Sequence, residues 1–156
     1  MTEPKYLFCN EVSDSLLQMI IDLDQNFMGH PWTEKQWLET RDVGSSRFAI
    51  CLFKNVIVGF ALISFDPFCE TAHLYKIVTN NEFRRLGFAK SLIQFIIDEL
   101  IYYASRSIVL DVDSSNLAAI KLYKSLNFKE LHFRKNYYSD GGDSFLFELT
   151  IGEKKT

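Results

Sequence analysis

A single mixed α/β domain is what this sequence predicts, on three observations. Short apolar runs rich in Val, Ile, Phe and Tyr alternate with longer stretches of 3.6-residue periodicity. The strand-like runs flank the helical ones in the order β-α-α-β-β-β-α-β-α-β-β. The 156 residues carry neither a linker nor an internal repeat, so 1–156 reads as one unit long enough to bury a real core.

Each element has its own local warrant. "KYLFC" is a short strand, and Ser13 caps the helix after it, with Leu16, Ile20 and Leu23 along one face. "HPWTEKQWLETR" places Thr33 and Gln36 at capping-box spacing behind Pro31 and Trp32, which starts a second, shorter helix. "RFAICLF" and "VIVGFALISF" flank Lys54 and Asn55, a hairpin signal, and "HLYKIVT" adds a further strand. The long helix from about Phe88 to Ala104 carries an apolar stripe at Leu92, Phe95, Ile96, Leu100 and Tyr103. "SIVLDV" is a strand, Asn116 opens the next helix, and "KELHF" and "SFLFELT" are closing strands joined through Gly141 and Gly142.

Composition narrows the function classes. A net charge of −3 and a pI near 5.6 give no footprint for a nucleic-acid backbone, whereas a basic protein partner is easier to accommodate. Cys9, Cys51 and Cys69 are odd in number and lack metal-ligand or CxxC spacing, so reduced thiols in a cytoplasmic protein are expected, with no metal. No apolar run reaches the roughly 18 residues of a membrane span, and the first fifteen residues lack the layout of a signal peptide.

The informative stretch is "RRLGFAKS", between the strand "HLYKIVT" and the long helix. It puts Arg84, Arg85, Gly87 and Lys90 at the start of that helix, where cations oppose the helix dipole and no Ser, Thr, Asp or Asn stands ready to cap. An external anion resolves the conflict. Backbone N–H groups at a glycine-bearing helix start converge on one point, phosphate is the obvious ligand, and Gly87 lets the chain approach it closely. A P-loop is excluded, since GxxxxGK[ST] would need glycines where Arg84 and Ala89 stand. Taken alone, the stretch serves equally as a solvated basic helix start.

Four ordered motifs extend it. "RRLGFA" resembles the R/Q-x-x-G-x-G/A signature of the GNAT superfamily of N-acetyltransferases, at that family's position between the fourth strand and third helix. "HPWTEKQW" resembles its "PWSE" segment, "IVLDVDSSNLAAIKLYKSLNF" resembles "LWLEVRASNxAAIxLYxSLGF", and "FRKNYYSDGGDSFLFEL" resembles "RRNYY" with a closing strand. Together they are similar to the ribosomal-protein-alanine N-acetyltransferase branch. The resemblance implies the acyl-CoA N-acyltransferase fold, a mixed and mostly antiparallel sheet flanked by helices, with acetyl-CoA as co-substrate and a protein N-terminus, a ribosomal protein's, as acceptor.

The resemblance also implies roles. The pantetheine arm would pair with the backbone of Ile77, Val78 and Thr79, and the pyrophosphate would sit on the N–H groups of Arg85, Leu86, Gly87, Phe88, Ala89 and Lys90, with Arg84 adding charge. Asn116 and Tyr123 would contact the cofactor, Tyr123 as proton donor to the leaving thiolate. Asp111 stands where the branch has a glutamate base and is one methylene shorter, so either a water bridges it to the amine or the base lies elsewhere. Asn127 replaces the glycine of "SLGF", where Asn can still take the left-handed conformation. The residues have plainer readings as well: Asn116 as an N-cap, Tyr123 as core packing, His73 as a structural side chain. Asp111 interrupts an apolar strand, which favours a functional role, and Asp113 on the same face is the reserve base.

Acyl transfer requires a neutral amine. At about pH 7.4 deprotonating an α-amine costs roughly 0.8 kcal/mol, against roughly 4 kcal/mol for a lysine, and a carboxylate suits only the first task. The expectation is therefore an α-amine acetyltransferase. The residues alone also accommodate a same-fold enzyme acting on a small amine or a lysine, and a non-catalytic acyl-CoA-binding module.

Overall fold

The computed structural model describes residues 3–66, 68, 70–102 and 105–152. After β1 (Lys5–Cys9), Ser13 accepts the Leu16 N–H and starts α1 (Asp14–Phe27). Thr33 and Gln36 form the reciprocal capping box that starts α2 (Glu34–Arg41). β2 (Ser46–Phe53) turns into β3 (Val56–Asp66) through Lys54 and Asn55, both at positive φ, as a tight primed turn requires. β4 (Thr71–Thr79) comes next. A short 3-10 turn at Asn81–Phe83, absent from the sequence expectation, then precedes α3 (Phe88–Tyr102). Tyr103 and Ala104, expected in that helix, lie outside the described residues, as does Cys69. The chain closes with β5 (Ser107–Asp113), α4 (Leu117–Ser125), β6 (Lys129–Arg134) and β7 (Ser144–Thr150). Asn127 ends α4 at φ 70°, in the left-handed region.

The seven strands make one sheet in the order β1-β2-β3-β4-β5-β7-β6. Every neighbour pair is antiparallel except β4 and β5, which the α3 crossover makes parallel. One face buries Leu74, Leu92, Ile93, Ile96, Leu110 and Phe147 beneath α3 and α4. The other buries Leu17, Ile20, Trp37, Phe60, Leu62 and Val78 beneath α1 and α2. β3 and β4 lie close where they pair at Gly59, since a Cβ there would meet the Val78 carbonyl at 2.8 Å.

Two irregularities in β4 open the middle of the sheet. Its register against β3 passes from Ile63↔Leu74 to Leu62↔Lys76, so Tyr75 is a bulge residue. Its ladder to β5 runs only from Thr71↔Ser107 to Leu74↔Leu110, and beyond that point the two strands continue without pairing.

The second core contains a charge. Asp24 is fully buried; its Oδ2 accepts the Trp32 N–H (2.7 Å) and the Trp37 Nε1–H (3.0 Å), and its Oδ1 accepts from Lys76 Nζ (2.6 Å). Lys76 Nζ also donates to the His30 carbonyl at 2.9 Å and lies over the Trp32 and Trp37 rings. Burial pulls the Lys76 ammonium below its ordinary value, and Asp24 opposes that pull. Removing one partner of such a pair strands the other charge, which costs about 3–5 kcal/mol. Asp24→Ala should therefore lower unfolding stability by that order in urea denaturation. Asp14→Ala, which breaks only the exposed pair with Arg41, should leave the midpoint nearly unchanged.

Candidate active site

The gap between β4 and β5 is the centre of the site. Because the Asn80 N–H bonds the Val58 carbonyl, the alternation of an antiparallel ladder turns the backbone groups of Val78 toward β3. Those of Ile77 and Thr79 face the gap. Of the three consecutive positions expected to meet a pantetheine arm, two have free groups to offer it.

At the end of this gap the chain enters α3 through Arg84–Gly87. Arg85 has φ 66° and Gly87 φ 81°. Among the described residues, the N–H groups of Arg85, Leu86, Gly87, Phe88, Ala89 and Lys90 make no backbone hydrogen bond, the first donor being Ser91 to the Gly87 carbonyl. Left-handed residues ahead of a helix N-terminus form a concave donor array suited to an anion. The helix begins at Phe88, as expected, so Arg84 and Arg85 lie in the loop ahead of it rather than in its first turn, and Arg84 Nη2 reaches the Phe27 carbonyl at 3.3 Å. Gly87 takes a positive φ that favours glycine, and a Cβ there would meet no protein atom within 4 Å.

Asp111 lies past the end of the β4–β5 ladder, on the sheet face opposite Leu110 and Val112, with its side chain 10% exposed. Its Oδ2 accepts from the Tyr137 hydroxyl (3.3 Å) and lies 3.7 Å from His73 Nε2. Its Oδ1 accepts from Ser144 Oγ (3.4 Å) and stands 3.5 Å from Arg134 Nη1. Asp113, on the same face, is already engaged: Oδ2 meets His30 Nε2 at 2.6 Å, and Oδ1 accepts from the N–H and Oγ of Ser115. Those bonds, His30's first, hold its carboxyl below the usual carboxylate range. Asp111 therefore has the longer contacts of the two, between 3.3 and 3.7 Å.

Tyr123 is buried in the α3–α4 core, beside Phe128 and Phe147. Its hydroxyl has no hydrogen-bond partner among the described residues. Burial, with the nearby Tyr138, raises its pKa well above the ordinary phenol value, so it holds its proton. Asn116 Oδ1 caps α4 by accepting the Ala119 N–H at 3.2 Å. Tyr138 connects the two faces. It stacks on His30 at 3.9 Å, and burial, with Asp113 and Asp111 adding to it, pushes its pKa up to about 12.

The backbone groups of Ile77 and Thr79 beside the β4–β5 gap and the uncapped N–H groups at the start of α3 are the chemistry that an extended, anion-bearing ligand would meet. The family model of the acetyltransferase (GNAT) family matches residues 17–128. The chain belongs to the acetyltransferase (GNAT) family. The [ribosomal protein bS18]-alanine N-acetyltransferase of Escherichia coli K12 is 30% identical over 132 residues, covering 83% of this chain and 87% of that protein. The crystal structure of the Escherichia coli ribosomal-protein-S18-alanine N-acetyltransferase matches with a TM-score of 0.83 at 26% identity, over 97% of this chain and 99% of that one. An N-alpha-acetyltransferase of Saccharolobus solfataricus is 30% identical over 110 residues, 64% of this chain and 66% of that protein. Arabidopsis thaliana NAA60 in complex with acetyl-CoA has the same fold, with a TM-score of 0.78 at 18% identity over 94% and 99% of the two chains.

With the GNAT fold established, the residues that sequence reasoning passes over stand out. Arg134, Ser144 and His30 all touch the two aspartates, yet only long-range pairing brings them there. For Arg134 and Ser144 a signal exists: they pair across β6 and β7, and Ser144 pairs with Asp113, so one face carries all three. The described residues contain no group of three or more His, Cys, Asp or Glu placed to hold a metal.

His73 offers a direct check on this electrostatic picture. Burial lowers its pKa from the usual 6.5, Arg134 adds to that, and Asp111 opposes it. A base whose folded pKa is depressed binds more protons when unfolded, so its contribution is fully present above about pH 6.5 and erodes as pH falls below that value. The His73 ring protons should titrate below the range of an exposed histidine by NMR, and His73→Gln should weaken the loss of stability between pH 6.5 and 5.

Proposed function

We propose that the protein transfers an acetyl group from acetyl-CoA to the N-terminal α-amine of a protein, with the N-terminal alanine of a small-subunit ribosomal protein as the acceptor to test first. One observation supports the reading most: past the point where the β4–β5 ladder stops, β5 carries the shielded carboxylate of Asp111 on one sheet face, while the protonated phenol of Tyr123 is buried on the other. The names of the two relatives given above, a ribosomal-protein alanine N-acetyltransferase and an N-alpha-acetyltransferase, support the choice of acceptor.

Acetyl-CoA would supply the acyl thioester. The backbone of Ile77 and Thr79 would hold its arm as an added strand, and the N–H groups from Arg85 to Lys90 would receive its pyrophosphate, with Lys90 and the exposed Arg85 adding charge. Asp111 takes the proton of the acceptor amine, directly or through a water that makes up for its missing methylene. The amine nitrogen would bond to the carbonyl carbon as the C–S bond breaks, releasing its second proton to solvent, and Tyr123 would give its phenolic proton to the sulfur and regain one from solvent. The amide and the thiol would then both leave neutral. Tyr137 and Tyr138, in the β6–β7 connection, flank Asp111 where the acceptor chain would pass.

Asp111→Asn should lower turnover by the 10²- to 10⁴-fold of a lost general base at neutral pH, with acetyl-CoA affinity preserved. Its rate should recover as pH rises through the α-amine pKa of about 8, because solvent then supplies the neutral amine. Full activity at pH 7 would move the base elsewhere. The assay is thiol release with an alanine-initiated peptide; the same peptide blocked at its N-terminus but carrying a lysine should be inert.

Tyr123→Phe keeps the ring in its core position and removes only the hydroxyl. Turnover should fall by a similar factor, while the thermal midpoint and acetyl-CoA binding by calorimetry stay close to wild type. An active Phe variant would return Tyr123 to a packing role.

A further inference from the structure

We propose that His30 is a positioning residue, the strut that fixes the width of the β4–β5 gap on the acceptor face and seats the β6–β7 connection over it. Past Leu74 and Leu110 the two strands share no ladder, so nothing in the sheet itself sets their separation. His30, in the connection between α1 and α2, spans them. Its carbonyl accepts from Lys76 Nζ of β4 at 2.9 Å, and its Nε2 meets Asp113 Oδ2 of β5 at 2.6 Å. Both anchors lie beyond the last paired residues.

The ring does a second thing. It stacks on Tyr138 at 3.9 Å with an interplanar angle of 3°, and its Nδ1 lies 3.7 Å from Asp140 Oδ2. One imidazole thus touches β5 and both sides of the β6–β7 connection's tight turn, whose own bonds are Tyr138 N–H to the Gly142 carbonyl and Gly141 N–H to the Tyr138 carbonyl. At the far end the strut is rigid, because Lys76 is held by buried Asp24 and Asp113 is held by Ser115. The pairing is also particular to this chain's motif, since "LDVDSSN" has Asp113 where the resembling pattern "LEVRASN" has an arginine, which could not accept from His30.

The acceptor side of this inference rests on the N-terminal-amine reading, so the test has one arm that needs no turnover. Hydrogen exchange of the Tyr138, Gly141 and Gly142 amides, measured by mass spectrometry on the full chain, should accelerate about tenfold in His30→Ala and in Asp113→Ala, and no further in the double variant. His30→Gln, which keeps a donor near the Nε2 position, should recover much of the protection. In the kinetic arm, His30→Ala should raise the KM for the peptide about tenfold, while kcat and the KM for acetyl-CoA move less than twofold. That factor is the lower end of what a hydrogen bond to a charged group is worth. Unchanged exchange in folded His30→Ala, or additive effects in the double variant, would overturn the strut. If wild type acetylates no peptide N-terminus but the exchange arm behaves as stated, the strut stands and the proposed acceptor falls.

Discussion

Tyr75 is one residue more than β3 can match, and the site depends on that surplus. Before it, Ala72 and Leu74 face α3; after it, Lys76 and Val78 face α1 and α2. A bulge changes which side chains a strand sends to each face and increases local twist. Here the change coincides with the end of the β4–β5 ladder. Without the bulge, were Tyr75 an ordinary alternating residue, Lys76 would point into the apolar α3 core. With it, Lys76 meets Asp24, and the backbone of Ile77 and Thr79 is left facing an open seam.

The buried Lys76–Asp24 pair then does more than tolerate its own burial. A buried ion pair is weak evidence for stability, because desolvation offsets most of its attraction. Its value lies in geometry. Asp24 accepts from two indole-bearing residues of the α1–α2 region as well as from Lys76, so a network of four polar contacts, two of them made by Lys76 of β4, holds the connection carrying His30 and Trp32. The α1–α2 connection beside the β4–β5 gap is thereby tied into the core beneath it. The surface pair of Arg41 with Asp14, 95% exposed on the aspartate, has no comparable role.

Local chemistry is readable from sequence where it is settled within a few residues. Ser13, Thr33 with Gln36, Lys54–Asn55 and Asn116 each satisfy backbone groups nearby, so their caps and turns can be inferred from spacing alone. Asp111 is legible for a different reason: a carboxylate amid Leu110 and Val112 has to be accounted for. The hidden features depend on register. Neither the Tyr75 bulge nor the point at which β4 leaves β5 alters hydrophobic periodicity, and β4 reads as one strand through both. His30 sits 83 residues from Asp113, and no local pattern announces the contact. Spacing sets the two arginines in the start of α3 for a related reason, since Arg84 and Arg85 are good helix formers until the backbone turns left-handed at Arg85.

An intact sheet separates its two faces completely, so side chains on opposite faces cannot act on one atom. Asp111 belongs to the α1–α2 face and Tyr123 to the α3–α4 face. Only in a seam where strands have parted can a ligand lying in the plane of the sheet meet both. The proposed chemistry needs that arrangement, because the group that removes a proton from the amine and the group that returns one to the sulfur must stand on opposite sides of the carbon being transferred. If they shared a face and touched, the phenol would hydrogen-bond the carboxylate and occupy it without any substrate present. Tyr137 already bonds Asp111 on its own face, which shows what a phenol does when it is placed there. Tyr123, buried on the other face, keeps its proton, and in the proposed mechanism a charge developing on the sulfur would draw that proton out.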